Sequence, residues 1–215
     1  MIRMKNKPLI GIAFIIITFV FSACTNNDYI PKPRGYFRIA LPEKKYRLLD
    51  SIYPYSFEYP QYAVIEADPN RYAERNWINL QFPKYKGTLH LSYKAVTSDS
   101  ILFQYFEDSR SFANKHIAKA NDIEPIIIHN DAHAVYGLIY DITGTGVAST
   151  YQFCVTDSVH HFMRGALYFN FLPNNDSLLP VIDFIKKDID HLIKTLQWKS
   201  LPQLGKKAVT SSKKS

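Results

Sequence analysis

The sequence predicts an α+β protein in which an antiparallel sheet of six to eight strands packs with two main helices, near residues 99–120 and 177–197. Runs of two-residue alternation between apolar and polar side chains recur from Tyr53 onward, as in half-buried strands. Two segments instead repeat apolar residues at a spacing of three to four, as amphipathic helices do. Most strand runs follow one another without an intervening helix, which favours antiparallel pairing.

The first predicted strand carries a row of aromatic residues. In YPYSFEY the alternating positions Tyr53, Tyr55, Phe57 and Tyr59 share one face. Such a row also suits a stacking platform for sugars, but aromatic side chains dominate the area of protein cores, so we predict a core position. The runs WINLQF, GTLHLSYKA and AHAVYGLIYDI are predicted as further strands.

Local signals bound the two helices. Ser98 or Asp99 is placed to cap the first helix, and Pro125 closes off the segment that follows it. The second helix lies in DSLLPVIDFIKKDIDHLIKTLQW, with Pro180 in its first turn. Between them, DITGTG has the glycines of a phosphate loop, but no helix pattern and no lysine follow, so we predict a turn.

The last two predicted strands hold the residues most suggestive of catalysis. VASTYQFCVT and VHHFMRGALYFNF are joined by Asp157-Ser158, the length of a tight hairpin, and this loop places Cys154 opposite His161. A thiol facing an imidazole supports an alternative function, a periplasmic envelope enzyme that uses this pair. A buried cysteine that acts as a small hydrophobic residue is the commoner arrangement.

Two pairs of histidines raise the question of a metal site. His160 and His161 are adjacent in a strand, so they point to opposite faces and do not share one ion. His129 and His133 in HNDAH offer two ligands, but no third ligand is evident nearby. Ser158 lies in the predicted turn, and no nucleophile elbow surrounds it. We therefore expect no metal, no cofactor and no serine-based site.

The N-terminus has the features of an exported, lipid-modified protein. A basic start and an apolar run from Pro8 to Phe21 predict a signal peptide over residues 1–23. The motif FSAC ends at Cys24 and resembles the lipobox of bacterial lipoproteins, whose cysteine receives acyl chains such as palmitate. Attached acyl chains, at about 0.8 kcal/mol per buried methylene, hold a protein on a bilayer. The segment 24–35 is then a lipidated tether.

The net charge of +7 does not belong to the predicted domain. Three basic residues lie in the signal peptide and four in the tail 203–215, and the rest balance the 19 acidic residues. A nucleic-acid partner is therefore not expected. Residues 36–202 suffice for one globular domain, and the lysine-bearing tail has a disordered composition. With only Cys154 left besides Cys24, no disulfide framework is expected.

Several segments resemble one family. PKPRGYFRI, EDSRSFANKH and the long run QFCVTDSVHHFMRGALYFNFLPNNDSLLPVIDFIKKDIDHLIKTLQW are similar to the GldD family, the gliding-motility lipoproteins of the Bacteroidota. The resemblance implies a non-enzymatic envelope component that is required for gliding and linked to the type IX secretion machinery. It implies lipidation at Cys24 and no catalytic residues. The order of strands, helix, meander and closing helix also looks like the PsbP/Mog1 architecture.

Contacts with other gliding or secretion envelope proteins would need exposed anchor residues. Arginine and tyrosine are favoured anchors, so we predict partner contacts at Arg34, Tyr36, Arg164, Tyr168 and Asn170. The alternative for Arg164 is that it satisfies a buried carboxylate. Surface-exported lipoproteins of the bacteria that the resemblance implies have acidic runs near the anchor, whereas TNND after Cys24 has one acid, so we expect a domain that faces the periplasm. Inner and outer membranes are both compatible with this pattern, and the oligomeric state is open.

Replacing Cys24 tests the membrane anchor. We expect Cys24→Ala to move the protein from the membrane fraction to the soluble fraction and to abolish gliding, because the acyl chains are then lost. Cell fractionation with immunodetection measures this, and Cys154→Ala is the matched control that keeps the lipidation site. A soluble Cys24→Ala protein that supports normal gliding would contradict the lipoprotein mechanism.

Overall fold

A computed structural model describes residues 39–170 and 175–199 of the chain. In chain order the strands are β1 (Tyr46–Leu49), β2 (Tyr55–Pro60), β3 (Val64–Ala67), β4 (Ile78–Phe82), β5 (Gly87–Ala95), β6 (Asp122–Asn130), β7 (Val135–Thr143), β8 (Tyr151–Thr156), β9 (His161–Phe169) and β10 (Gln197–Trp198). Helix α1 spans Asp99–Asn114 and helix α2 spans Asn175–Thr195. A single 3-10 turn lies between β4 and β5.

The strands form one large and one small sheet within the described residues. Seven strands pair in the order β3-β4-β5-β9-β8-β7-β6, and β1, β2 and β10 form a three-stranded sheet. Every pairing is antiparallel. The predicted α+β class with two helices is therefore confirmed. Helix α1 ends earlier than predicted, and Pro180 lies inside α2 rather than in its first turn.

The two faces of the large sheet carry different clusters. Helix α2 packs on the face that holds the main core, which includes Leu80, Leu89, Phe153 and Leu167. The aromatic side chains of β2 join this core, and Tyr55 and Phe57 are fully buried, as predicted. Helix α1 packs on the other face over a smaller cluster of buried residues: Val96, Ala113, Tyr140, Ile142, Val147, Cys154 and Phe162. We call these the α2 face and the α1 face.

The β8–β9 hairpin has a longer loop than the sequence predicted. Thr156 pairs with Phe162 and Cys154 pairs with Arg164, so residues 157–160 form the loop. The Asp157 carboxylate explains the added length, because its Oδ1 accepts hydrogen bonds from the backbone N–H groups of residues 159, 160 and 161. Ser158 takes a positive φ of 70° within this loop. The predicted pairing of Cys154 with His161 was therefore wrong.

Gly165 holds the register of this hairpin. It pairs with Phe153, and the Phe153 ring lies over the Gly165 backbone, so an added Cβ would collide with three ring carbons. A two-residue loop would give a different register. Compared with that register, the observed one turns every side chain of β9 to the opposite face of the sheet. Arg164 thereby shares the α1 face with Cys154.

A methyl group at Gly165 tests this constraint. We expect Gly165→Ala to lower the free energy of unfolding by about 3 kcal/mol, because the Phe153 ring has to move within a close-packed core. Urea unfolding of the purified protein, followed by tryptophan fluorescence, measures the change. Gly146→Ala is the matched control, since its nearest neighbour would be the Lys119 Cδ at 3.7 Å, and we expect its stability to stay within about 0.5 kcal/mol. Equal stability of the two variants would contradict the constraint.

Candidate functional site

The structure places three of the predicted contact residues along one line of the α1 face. Arg164 and Tyr168 belong to β9 with an even spacing, so they share that face. Asn170 follows the strand; its N–H donates to the Lys86 carbonyl at 2.8 Å, and it lines a 290 Å³ pocket with Thr88. At about 3.3 Å per residue this line is roughly 20 Å long. Cys24, Arg34 and Tyr36 lie outside the described residues.

The α1 face has a covered half and an open half. Helix α1 lies over β8 and β9. On the neighbouring strands β4 and β5 the α1 face carries polar side chains, most of them half-buried: Asn79, Gln81, Thr88, His90, Ser92 and Lys94. They are ordered by hydrogen bonds between themselves, from Thr88 Oγ1 to Gln81 Oε1 at 2.6 Å and between His90 Nδ1 and Asn79 Oδ1 at 2.8 Å. We call this surface the polar half-face.

Arg164 lies where the polar half-face meets helix α1. Its Nη2 donates a hydrogen bond of 2.5 Å to Gln152 Oε1, and its guanidinium carbon is 4.7 Å from the centroid of the Phe112 ring. Its Nε is buried and has no hydrogen-bond partner. In the described part of the chain no carboxylate is within ion-pair distance of Arg164. The guanidinium is thus held by an amide rather than by the buried carboxylate of the alternative prediction.

Burial changes the electrostatics of this arginine. Loss of water contact lowers the pKa of the Arg164 guanidinium from its ordinary value, and the nearby Tyr168 and Cys154 offset part of that shift. The same positive charge contributes to the lowered pKa of His90, for which burial is the main cause. The site therefore has a largely buried cation that forms no ion pair with a carboxylate of the described residues.

A pocket of about 250 Å³ opens beside Arg164. Its walls include Trp77, Lys94, Tyr105, Phe112 and Phe162. The Lys94 ammonium forms an ion pair of 2.6 Å with Glu74 and lies 5.4 Å from the Trp77 ring centroid. We call this cavity the Arg164 pocket.

Cys154 and His161 do not form a catalytic pair. Cys154 lies on the α1 face, and burial raises the pKa of its thiol to about 11, so the thiolate needed for nucleophilic attack is scarce at neutral pH. His161 lies on the α2 face, where its Nδ1 is 2.8 Å from the Tyr93 hydroxyl and its ring stacks on Trp198. Burial lowers the pKa of His161. The sheet separates the two side chains, which corrects the enzyme alternative.

The other histidine pairs do not form a metal site in the described residues. His160 is exposed in the hairpin loop, whereas His161 is buried. His129 Nε2 is 3.2 Å from Asp131, and the backbone N–H of His133 donates to Asn130 Oδ1. Across residues 39–170 and 175–199, no three or more His, Cys, Asp or Glu side chains are grouped so as to hold a metal ion.

The sequence did not predict the residues around Arg164. A two-residue hairpin loop would pair Gln152 with residue 163. In the structure Gln152 pairs with Ala166, so its place beside Arg164 depends on the hairpin register. Phe112 contacts Arg164 from α1, and a contact between a helix and a strand far apart in sequence leaves no local signal. Alternation places Ser92 with Lys94 on one face of β5 and Phe162 with Arg164 on one face of β9, but it does not show that helix α1 completes a pocket beside them.

The fold and this site define a class, an α+β protein in which a partly exposed polar surface borders the Arg164 pocket. The family model described as gliding motility lipoprotein GldD matches residues 26–198, so the chain belongs to the GldD family. It is thus a gliding-motility lipoprotein, a membrane-anchored protein of the cell envelope. The search of curated proteins found no match.

Among solved structures, the solution structure of cyanobacterial PsbP (CyanoP) from Synechocystis sp. PCC 6803 is similar to this chain in fold. The two chains are 12% identical with a TM-score of 0.44, over 75% of this chain and 97% of that one.

Neither of the two described helices is long and apolar enough to cross a membrane.

Proposed function

We propose that this protein is a non-enzymatic assembly or interaction subunit of the gliding apparatus that contacts partner proteins through the polar half-face and the Arg164 pocket. One observation carries the proposal: Arg164 is a largely buried cation without a carboxylate partner in the described residues, at the border of an open polar surface. A charge in such a position is costly to stability unless a partner compensates it. Residues of this kind are therefore candidates for binding.

The two faces of the large sheet differ in how far they are covered, and this difference supports the proposed contact surface. Most of the α2 face is covered by helix α2 and the main core, and a pocket of about 560 Å³ that Ile126, Ile128 and Ile139 line opens beside β6. The α1 face leaves Thr88, His90 and Tyr168 half-exposed, and the T-shaped contact of His90 with Tyr168 orders two of them. An ordered polar surface loses little conformational entropy when a partner binds.

The chemistry of the buried cysteine supports a non-enzymatic role. Cys154 is fully buried with a pKa raised to about 11, and His161 lies across the sheet. Neither group has the geometry of a nucleophile with its base. Family membership in turn supports a role in gliding, and we extend it to a link with the type IX secretion machinery.

We place the protein on the periplasmic side of its membrane. In this proposal residues 1–23 are the signal peptide, acylated Cys24 is the anchor, 24–35 form the tether and 203–215 form the tail of a domain over 36–202. A tether of this length allows the domain to reach partner proteins beyond the lipid headgroups, since an extended chain gains about 3.3 Å per residue.

Replacing Arg164 tests the proposed contact surface. We expect Arg164→Ala to abolish gliding while the protein stays at its normal level, because a contact with the partner is lost and the fold is kept. Gliding is scored on agar, and a tagged, lipidated copy is recovered from native membranes in mild detergent to identify the proteins that accompany it. The proteins that co-purify with the unmodified protein should be absent from the Arg164→Ala sample.

Arg110→Gln is the matched control, since Arg110 is an exposed arginine of α1 that pairs only with Glu107 of the same helix in the described structure. It should keep both gliding and the companion proteins. Normal gliding and unchanged companions with Arg164→Ala would contradict the proposal. Disappearance of the Arg164→Ala protein itself would assign the residue a role in folding instead.

A further inference from the structure

We propose that the Arg164 pocket binds a carboxylate carried on an apolar or aromatic stem, which is the chemistry that a C-terminal residue or an acidic side chain of a partner protein presents. The inference rests on the proposed function, since it names the chemical group that the partner contributes. It also makes a claim about binding that is measurable without gliding cells.

The hydrogen-bonding capacity of Arg164 points to an anion. A guanidinium has five N–H donors, and the Gln152 amide oxygen accepts from Nη2. The Nε donor is buried and has no hydrogen-bond partner, and the Arg164 side chain lines the pocket. Unsatisfied buried donors are rare because each costs about 1–3 kcal/mol. A carboxylate satisfies this kind of donor, and its planar shape matches the guanidinium edge.

The walls of the pocket point to an apolar stem behind the carboxylate. Phe112 packs against the Arg164 guanidinium yet stays 42% exposed, and Tyr105 and Trp77 form further aromatic surface. The indole of Trp77 is fixed, because its Nε1 donates to the Tyr93 carbonyl at 2.8 Å. Aromatic surface beside one cation binds an amphipathic acid better than a bare inorganic anion.

Size and charge restrict the ligand further. About 250 Å³ is below the roughly 300–1,000 Å³ of pockets for drug-sized ligands, so the space suits a single side chain or chain terminus. The second cation of the pocket, Lys94, is already paired with Glu74, and Asp108 adds a negative charge at the rim. A monoanion is therefore favoured over a dianionic phosphate.

Binding of small probes to the full-length lipidated protein in detergent tests this. The probes are phenylacetate, its neutral analogue phenylacetamide, acetate and inorganic phosphate, and the readout is the ¹⁵N-arginine side-chain spectrum, in which Arg164→Lys identifies the Arg164 Nε–H signal. We expect phenylacetate to shift that signal in a saturable way and to bind at least about tenfold more tightly than phenylacetamide, a difference of about 1.4 kcal/mol.

Substitutions measure separately what the Arg164 cation and the aromatic wall contribute to binding. Arg164→Gln should remove the preference for phenylacetate over phenylacetamide, and Arg110→Gln should leave it intact. Phe112→Ala, which changes a half-exposed side chain, should weaken phenylacetate at least threefold and leave acetate unchanged. Calorimetry reports these affinities for variants whose unfolding transitions match the unmodified protein.

Three results would overturn the proposal. They are equal affinity for phenylacetate and phenylacetamide, an Arg164 signal that does not respond to phenylacetate, and tighter binding of inorganic phosphate than of phenylacetate. The last result, together with Arg164-dependent binding to vesicles of phosphatidylglycerol, would assign the pocket to a phosphate group of lipid. If phenylacetate does not bind but Arg164→Ala still abolishes gliding, the carboxylate ligand is refuted and the proposed function stands. If phenylacetate binds but Arg164→Ala cells glide normally, the proposed function is refuted and the carboxylate ligand stands.

Discussion

The phenyl ring of Phe153 occupies the space above Gly165, where any side chain of the neighbouring strand would collide with it. This contact, together with the Asp157 carboxylate that binds three loop N–H groups, fixes how β8 and β9 pair. Because side chains alternate along a strand, the pairing decides which residues of β9 face α1 and which face α2. The placement of Arg164 and Tyr168 on the α1 face depends on that choice.

The consequence is a sheet with two different roles. On the α2 face, Met163 and Leu167 complete the main core, and His161 is satisfied by Tyr93 and Trp198. On the α1 face, Cys154 packs as a small buried residue, while Arg164 is left with an amide partner and an aromatic neighbour. The larger hydrophobic cluster thus lies on the α2 face, and the partner contacts that we propose lie on the α1 face.

Local pattern was enough for much of the fold. Alternation identified β2, β4, β5, β7, β8 and β9, and the Ser98 cap is real, since its Oγ accepts from the Ile101 N–H. Strand β6 was not predicted, because Pro125 was interpreted as the end of the preceding segment. Pro125 lies within β6, which is an edge strand, and edge strands tolerate proline. The Arg164 pocket could not be predicted, because it depends on a loop set by one carboxylate and on Phe112, which reaches it from a distant helix.

Photo-crosslinking in gliding cells tests the central claim, that partners contact the α1 face around Arg164. p-Benzoylphenylalanine replaces Phe112 on α1 or, as the matched control, Leu179 on α2, which are exposed hydrophobic helix residues at 42% and 43%. The account predicts crosslinks to other envelope proteins from position 112 and none from position 179. Crosslinks from position 179 with none from position 112 would contradict it.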